Sequence, residues 1–314
     1  MAQNARLRGL GILVLCSLFY PAMTTAQQPA LHLMPLPANV QQGTGSLRVD
    51  SAFSVVFTGY TEPRLDRAAE RFLRQLARQT GLPIVLKPSK TGKTTLVIQT
   101  DHASKEIQEA GEDESYILDV STASARLRAA APLGTMHGLQ TLLQLVDASP
   151  DGFAAPAVTI QDKPRFPWRG LMIDSARHFI PLDVIRRNLD GMEAVKMNVF
   201  HWHLSENQGF RVESRKFPKL HELGSDALYY TQDEIRDLIA YAKDRGIRVV
   251  PEFDMTGHST AWFVGHPELA SGKGPYEIER RWGIFDPAMD PTNERVFKFL
   301  DEFIGEMEIG RAHV

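Results

Sequence analysis

Three blocks in the C-terminal half constrain the fold most: WRGLMIDSARHF at 168–179, KMNVFHWHLSENQGFR at 196–211 and VVPEFDMTGHS at 249–259. Each is a short apolar run that ends in a cluster of polar residues. The runs at 171–173, 198–204 and 247–250, the last read as fully apolar, have strand length. Between them lie helical patterns. Pro181 opens one with Ile185, Leu189 and Met192 inward. Thr231-Gln232-Asp233-Glu234 is a capping box for another, with Ile235, Leu238, Ile239 and Ala242 on its buried side and Gly246 placed to end it. Strands alternating with helices imply βαβ units and a parallel sheet. Polar residues at the C-terminal strand ends are where a barrel of such units carries its chemistry.

Residues 31–163 have a different rhythm and predict a small α+β domain with helices on one face of a sheet. Leu65, Ala69, Phe72, Leu73 and Leu76 share a helical face that Gly81 ends. Met136, Leu139, Leu143 and Val146 space a second amphipathic helix over 136–146, and strand-like runs lie at 95–99, 115–120 and 125–130. Pro164 and Pro167 in DKPRFPWRG interrupt regular structure and mark the boundary.

A net charge of −3 leaves no basic footprint for nucleic acid or anionic lipid. Arg6 and Arg8, an apolar stretch at 10–20 and Thr24-Thr25-Ala26 before Gln27 read as an export signal over 1–26. The stretch is shorter than the roughly 20 residues of a membrane span, so the protein is expected outside the cytoplasm, periplasmic or extracellular. The single cysteine, Cys16, lies inside it and has Leu15 where a lipoprotein site wants a small residue. The mature chain then has no cysteine chemistry. Carboxylates, histidines and hydroxyls must do the work.

Arg177, just after the first strand, is a planar donor fork suited to two neighbouring hydroxyls, or to pairing with Asp174 at the turn. In the second strand His201, His203 and Ser205 share one face, and Phe200, Trp202 and Leu204 the other. Imidazoles two apart can form half of a metal site, yet no further ligands follow in order, so no metal or cofactor is expected. Glu206 and Asn207 lie at the second strand end; Glu252, Asp254, Gly257 and His258 at the third. A carboxylate and an imidazole from adjacent strand ends can hydrogen-bond and tune a group between them. Trp262 and Trp282 could stack on a sugar face or simply pack.

In order and spacing, RGLMIDSARHF, NVFHWHLSENQGFR and PEFDMTGH resemble the β-N-acetylhexosaminidases of glycoside hydrolase family 20. The resemblance implies an α/β fold: a partial (β/α)8 TIM barrel over 165–308, preceded by a small α+β domain over 27–164. It implies that Arg177 binds ring hydroxyls of a terminal N-acetylhexosamine and that Glu206 and His258 adjoin and tune the catalytic acid. Glu206-Asn207 stands where the family usually has Asp-Asp. The implied reaction is exo-acting hydrolysis of an oligosaccharide or glycoconjugate, with retention. The substrate's acetamido carbonyl attacks the anomeric carbon, oriented by an aspartate, while the neighbouring glutamate serves as acid and then base.

That Asp-Glu pair, in an HxGGDE string, is not present in the chain. Asp113-Glu114 and Asp301-Glu302 read as solvated surface charges, the latter on a helix spaced by Val296, Phe299, Leu300 and Phe303. The stretch from 165 onward is shorter than the roughly 250 residues a complete barrel takes. The pair is therefore expected beyond Val314, and the fragment alone is expected to be poorly soluble and inactive. Residues 309–314, IGRAHV, match a translated sequencing-adapter string and are expected to be a non-native tail. Two other readings compete: a metal-dependent amidohydrolase using His201 and His203, and a non-catalytic sugar-binding protein using Arg177 and the tryptophans.

Overall fold

The computed structural model describes residues 31–89, 94–105 and 108–308. The expected export segment with Cys16 and the tail at 309–314 lie outside them.

The first region is a seven-stranded sheet. Its strands are β1 (Asn39–Val49), β2 (Val55–Gly59), β3 (Leu96–Thr100), β4 (Tyr116–Val120), β5 (Ala125–Ala129), β6 (Asp147–Ser149) and β7 (Gly152–Asp162), in the order β1-β7-β4-β5-β3-β2 with β6 on β7. Alternation sets its two faces: Ala125, Leu127 and Ala129 are buried, Arg126 and Arg128 exposed. On the buried face lie α1 (Pro63–Thr80), ended by Gly81 at φ 69°, and α2 (Pro132–Leu145).

Helix α2 corrects an expectation. It begins four residues earlier than its hydrophobic spacing suggested, and it is buried on nearly every side. Two glycines permit this. A Cβ on Gly134 would stand 2.0 Å from the Ser115 carbonyl oxygen, and one on Gly138 would stand 2.2 Å from Leu127 Cδ1. Only hydrogen at those positions lets the helix lie this close to the sheet.

In the second region three parallel strands form a second sheet: β8 (Gly170–Asp174), β9 (Val199–Glu206) and, after the short hairpin strand β10 (Gly209–Phe210), β11 (Arg248–Phe253). Strand β9 lies in the middle, with Asp174 and Glu252 both in register with His203. The helices are α3 (Leu182–Ala194), α4 (Lys219–Gly224), α5 (Gln232–Lys243), α6 (Thr260–Gly265) and α7 (Glu294–Met307). None is long and apolar enough to cross a membrane.

The Thr231 capping box forms: its hydroxyl accepts from the Glu234 amide at 3.2 Å, and the Glu234 carboxylate accepts from the Thr231 amide at 2.8 Å. Phe200, Trp202 and Leu204 are buried against the helices with Ile185, Leu189, Ile235 and Leu238. The third strand is not wholly apolar, because Arg248 opens it and Glu252 lies within it.

Charged groups join the two regions. Glu114, expected in solvent, is 5% exposed; it accepts from Arg169 Nη2 and from Asn198 Nδ2 at 3.0 Å. Lys196 Nζ reaches Asp162 at 3.0 Å and the Tyr116 hydroxyl at 2.8 Å, and Arg71 Nη2 reaches Glu193 at 2.9 Å. Paired in this way, buried charges avoid the cost of isolation and fix how the regions meet. Asp301 and Glu302 are exposed on α7, as expected.

Candidate active site

The polar residues gather at the C-terminal ends of β8, β9 and β11. Each strand end places its side chains through a specific local device. After β8, Asp174 Oδ1 accepts the backbone amides of Ala176 and Arg177 at 3.0 and 2.9 Å, which closes a tight turn. Its other oxygen receives Arg177 Nη1 at 2.5 Å. Arg177 therefore does pair with Asp174, and it reaches further: Nη2 donates to Glu206 Oε1 at 2.6 Å.

Beneath this turn lies Arg211, which the sequence reading did not single out. It is 4% exposed and donates to the carbonyls of Ala176 at 2.9 Å, Ser225 at 2.6 Å and Leu228 at 3.1 Å. Burial lowers its pKa from the usual value, although Asp226 and Tyr230 oppose that. A guanidinium that gathers carbonyls from several loops fixes the floor on which Arg177 stands. Nothing in its local sequence marks it, since its partners lie in separate loops.

Glu206 ends β9 and is buried. Its Oε1 takes both Arg177 and His258 Nδ1, and its Oε2 accepts the Asn207 amide at 3.0 Å. Burial raises its pKa above the usual carboxylate value even though Arg177 favours the charge. His258 sits at φ 53°, a left-handed conformation that costs a residue other than glycine about 1 kcal/mol. It holds that conformation while its ring meets Glu206. Asn207 Oδ1 accepts from the Thr260 amide and hydroxyl at 3.1 and 2.8 Å, which ties the β9 turn to α6. The structure thus brings together all three expected residues, Arg177, Glu206 and His258.

The two histidines of β9 converge on one carboxylate. His201 Nε2 stands 2.7 Å from Glu252 Oε2, and His203 Nδ1 donates to the same oxygen at 2.8 Å. Burial pushes the Glu252 carboxyl up, but the His203 and His201 contacts outweigh that and hold it below the ordinary range. Glu252 is the partner that sequence reasoning placed at the strand end without assigning its contact. His203 Nε2 is buried with no partner among the described residues. Ligand atoms of His203, Glu206 and Asp254 lie within 4.8 Å of one another, close enough for a divalent cation. Against that use, both Glu206 oxygens already carry donors.

The tryptophans separate. Trp262, read as a loop residue able to stack on sugar, is fully buried in α6, with its ring 4.9 Å from that of Phe210 and 4.8 Å from that of Phe303. It is a packing residue. Trp282 is 83% exposed, and the Arg177 guanidinium carbon lies 5.6 Å from its ring centroid.

Two family models match the chain in sequence: glycosyl hydrolase family 20, domain 2, over residues 30–163, and the glycosyl hydrolase family 20 catalytic domain over residues 166–310. The chain belongs to glycosyl hydrolase family 20. Relatives agree with this. A β-hexosaminidase subunit A1 from Dictyostelium discoideum is 33% identical over 301 residues, which cover 91% of this chain and 53% of that protein. The crystal structure of a Flavobacterium johnsoniae chitobiase superposes with a TM-score of 0.84 at 45% identity, over 88% of this chain and 42% of that one. A Streptomyces plicatus N-acetyl-β-hexosaminidase in complex with thio-NAglucal gives 0.78 at 28%, over 88% and 56%. The chain thus spans about half the length of these relatives. Its mixed α/β architecture agrees with a TIM-barrel-type region preceded by a smaller domain.

Proposed function

We propose that the chain supplies the first part of the sugar site of an exo-acting β-N-acetylhexosaminidase. The carrying observation is the continuous link from Arg177 through Glu206 to His258, which joins three strand ends. Arg177 is placed to take neighbouring hydroxyls of a terminal N-acetylhexosamine with in-plane N–H donors. The buried Glu206 carboxylate and His258 then form a relay whose free imidazole edge faces a catalytic acid. In this reading the acetamido carbonyl of the substrate is the nucleophile and the reaction retains configuration.

No Asp-Glu pair stands at these strand ends among the described residues, because Glu114 is buried between the regions and Glu302 is exposed on α7. We propose that the Asp-Glu pair is supplied by residues outside the described ones, and that the chain alone binds sugar without turning it over. The amidohydrolase reading is disfavoured, since residues 166–310 match the glycosyl hydrolase family 20 catalytic domain. The export reading of residues 1–26 also stands as a proposal, to be checked by N-terminal sequencing of the secreted product.

The test has two arms. Calorimetric titration with N-acetylglucosamine should show binding by the chain that Arg177→Ala abolishes; binding that survives this change would remove the assignment. A chromogenic N-acetyl-β-glucosaminide should stay intact with the chain alone. Release of the chromophore would mean that a carboxyl described here, Glu206 or Asp254, acts as the acid.

A further inference from the structure

Between the third strand end and α7 the chain forms a strap, residues 272–287, that crosses the strand-end face. It is fixed at several points. The Ser271 amide donates to the Ala288 carbonyl at 2.9 Å and closes its base. In the middle, the Glu279 amide donates to the Asn207 carbonyl at 3.1 Å, and Gln208 Nε2 donates to the Arg281 carbonyl at 2.7 Å. Arg280 clamps Asp226 with both terminal nitrogens, at 2.5 and 2.8 Å. Two of these anchors, Asn207 and Gln208, follow Glu206 directly. The strap is therefore referenced to the site itself.

This fixed strap presents Trp282 beside Arg177. Both line a cleft of about 330 Å³, together with Phe179, Gln208, Leu228 and Arg281. The guanidinium carbon lies over the indole, 5.6 Å from the ring centroid, yet Trp282 stays 83% exposed and so keeps ring surface open to a ligand. An isolated exposed tryptophan means little by itself. Here it is held in place next to a hydroxyl-binding fork, in a cleft with both apolar and polar walls. That combination suits a pyranose, which has hydroxyls around its rim and C–H groups on its faces. The Asp174 and Glu206 contacts engage two of the five guanidinium N–H donors.

We propose that Trp282 is a sugar-contacting specificity residue: Arg177 takes the hydroxyls of an N-acetylhexosamine while the Trp282 indole takes a C–H face of the same ring. The strap then decides which saccharide the cleft accepts. This inference rests on the reading of Arg177 as a sugar ligand, and one titration series separates the two.

The chain is titrated calorimetrically with N-acetylglucosamine as wild type, Trp282→Ala, Trp282→Phe and Ile284→Ala, and thermal midpoints are recorded for all four. Trp282→Ala should weaken binding roughly three- to tenfold, the usual worth of one aromatic contact. Trp282→Phe should stay within about twofold of wild type, because a ring face remains. Ile284, 94% exposed on the same strap, should be neutral, and the midpoints should not move. Equal affinity in wild type and Trp282→Ala overturns the role of Trp282 and leaves the Arg177 reading intact. Equal loss in both Trp282 variants with lowered midpoints overturns it in favour of a structural role. Absence of wild-type binding removes both.

Discussion

Arg177 Nη2 lies 2.6 Å from Glu206 Oε1, linking the turn after the first strand of the parallel sheet to the end of the second. Glu206 is 1% exposed and the Arg177 side chain 25%, so the carboxylate depends on the guanidinium far more than the reverse.

Arg177→Lys keeps the charge and loses the fork, so one of the two carboxylates, Asp174 or Glu206, goes unmatched. The expected cost is about 1–2 kcal/mol in urea unfolding, with at least a tenfold loss of N-acetylglucosamine affinity. A variant that binds like wild type would show that charge alone suffices at this position.

The ion pair between Glu114 and Arg169 should be a principal lock between the two regions. Truncating Glu114 to alanine leaves Arg169, whose side chain is 17% exposed, without its counter-charge. Arg169 keeps the carbonyls of Lys196 at 2.8 Å and Phe166 at 2.9 Å, so the expected loss is about 2–4 kcal/mol, below that of a fully orphaned charge. A double-mutant cycle with Arg169→Ala should return a coupling near 1 kcal/mol or more. Additive effects would show that the regions are held by apolar packing instead.

His137 gives the fold a pH dependence. Burial, with the Arg169 and Lys196 charges added, pushes its pKa down to about 3. The folded chain therefore keeps this imidazole neutral while the unfolded chain protonates it below about 6.5. The unfolded state binds the extra proton in that window, so stability falls as the pH drops from about 6.5 towards 3, by up to about 1.4 kcal/mol per unit. His137→Gln should flatten that part of the profile in urea titrations across pH 4–7. An unchanged slope would mean that other groups cause it.

Two tryptophans should contrast. Trp262→Ala empties a site walled by Phe210, Phe303 and Phe299 and should cost about 3–5 kcal/mol. Trp282→Ala should lie within about 0.5 kcal/mol of wild type. Similar losses for the two, measured by thermal or urea unfolding, would contradict the assignment of one to the core and the other to the cleft.

Several elements were legible because their signals are local. The capping box at Thr231, the glycine end of α1 and the alternation of Phe200, Trp202 and Leu204 against His201 and His203 depend on neighbours within a few residues, and all appear in the structure. The long paired strands β1 and β7 carried no comparable signal. Their stability comes from pairing with each other across some hundred residues, from Asn39 with Gln161 to Val49 with Phe153. The hydrophobic spacing starts α2 late because its first turn holds Gly134, which serves close approach to the sheet rather than helical propensity.

The amino-acid order by itself determined the strand–helix rhythm, the family motifs and the presence of Arg177, Glu206 and His258 at successive strand ends. Folding decided which of these groups touch. Glu252 meets His203 across 49 positions and Arg169 meets Glu114 across 55. Such pairs follow from strand register and from how two sheets and their helices stack. The same stacking sent Trp262 into the core and left Trp282 beside Arg177, although the sequence offers two similar tryptophans. Burial is a property of the assembled layers, and no short window of residues contains it.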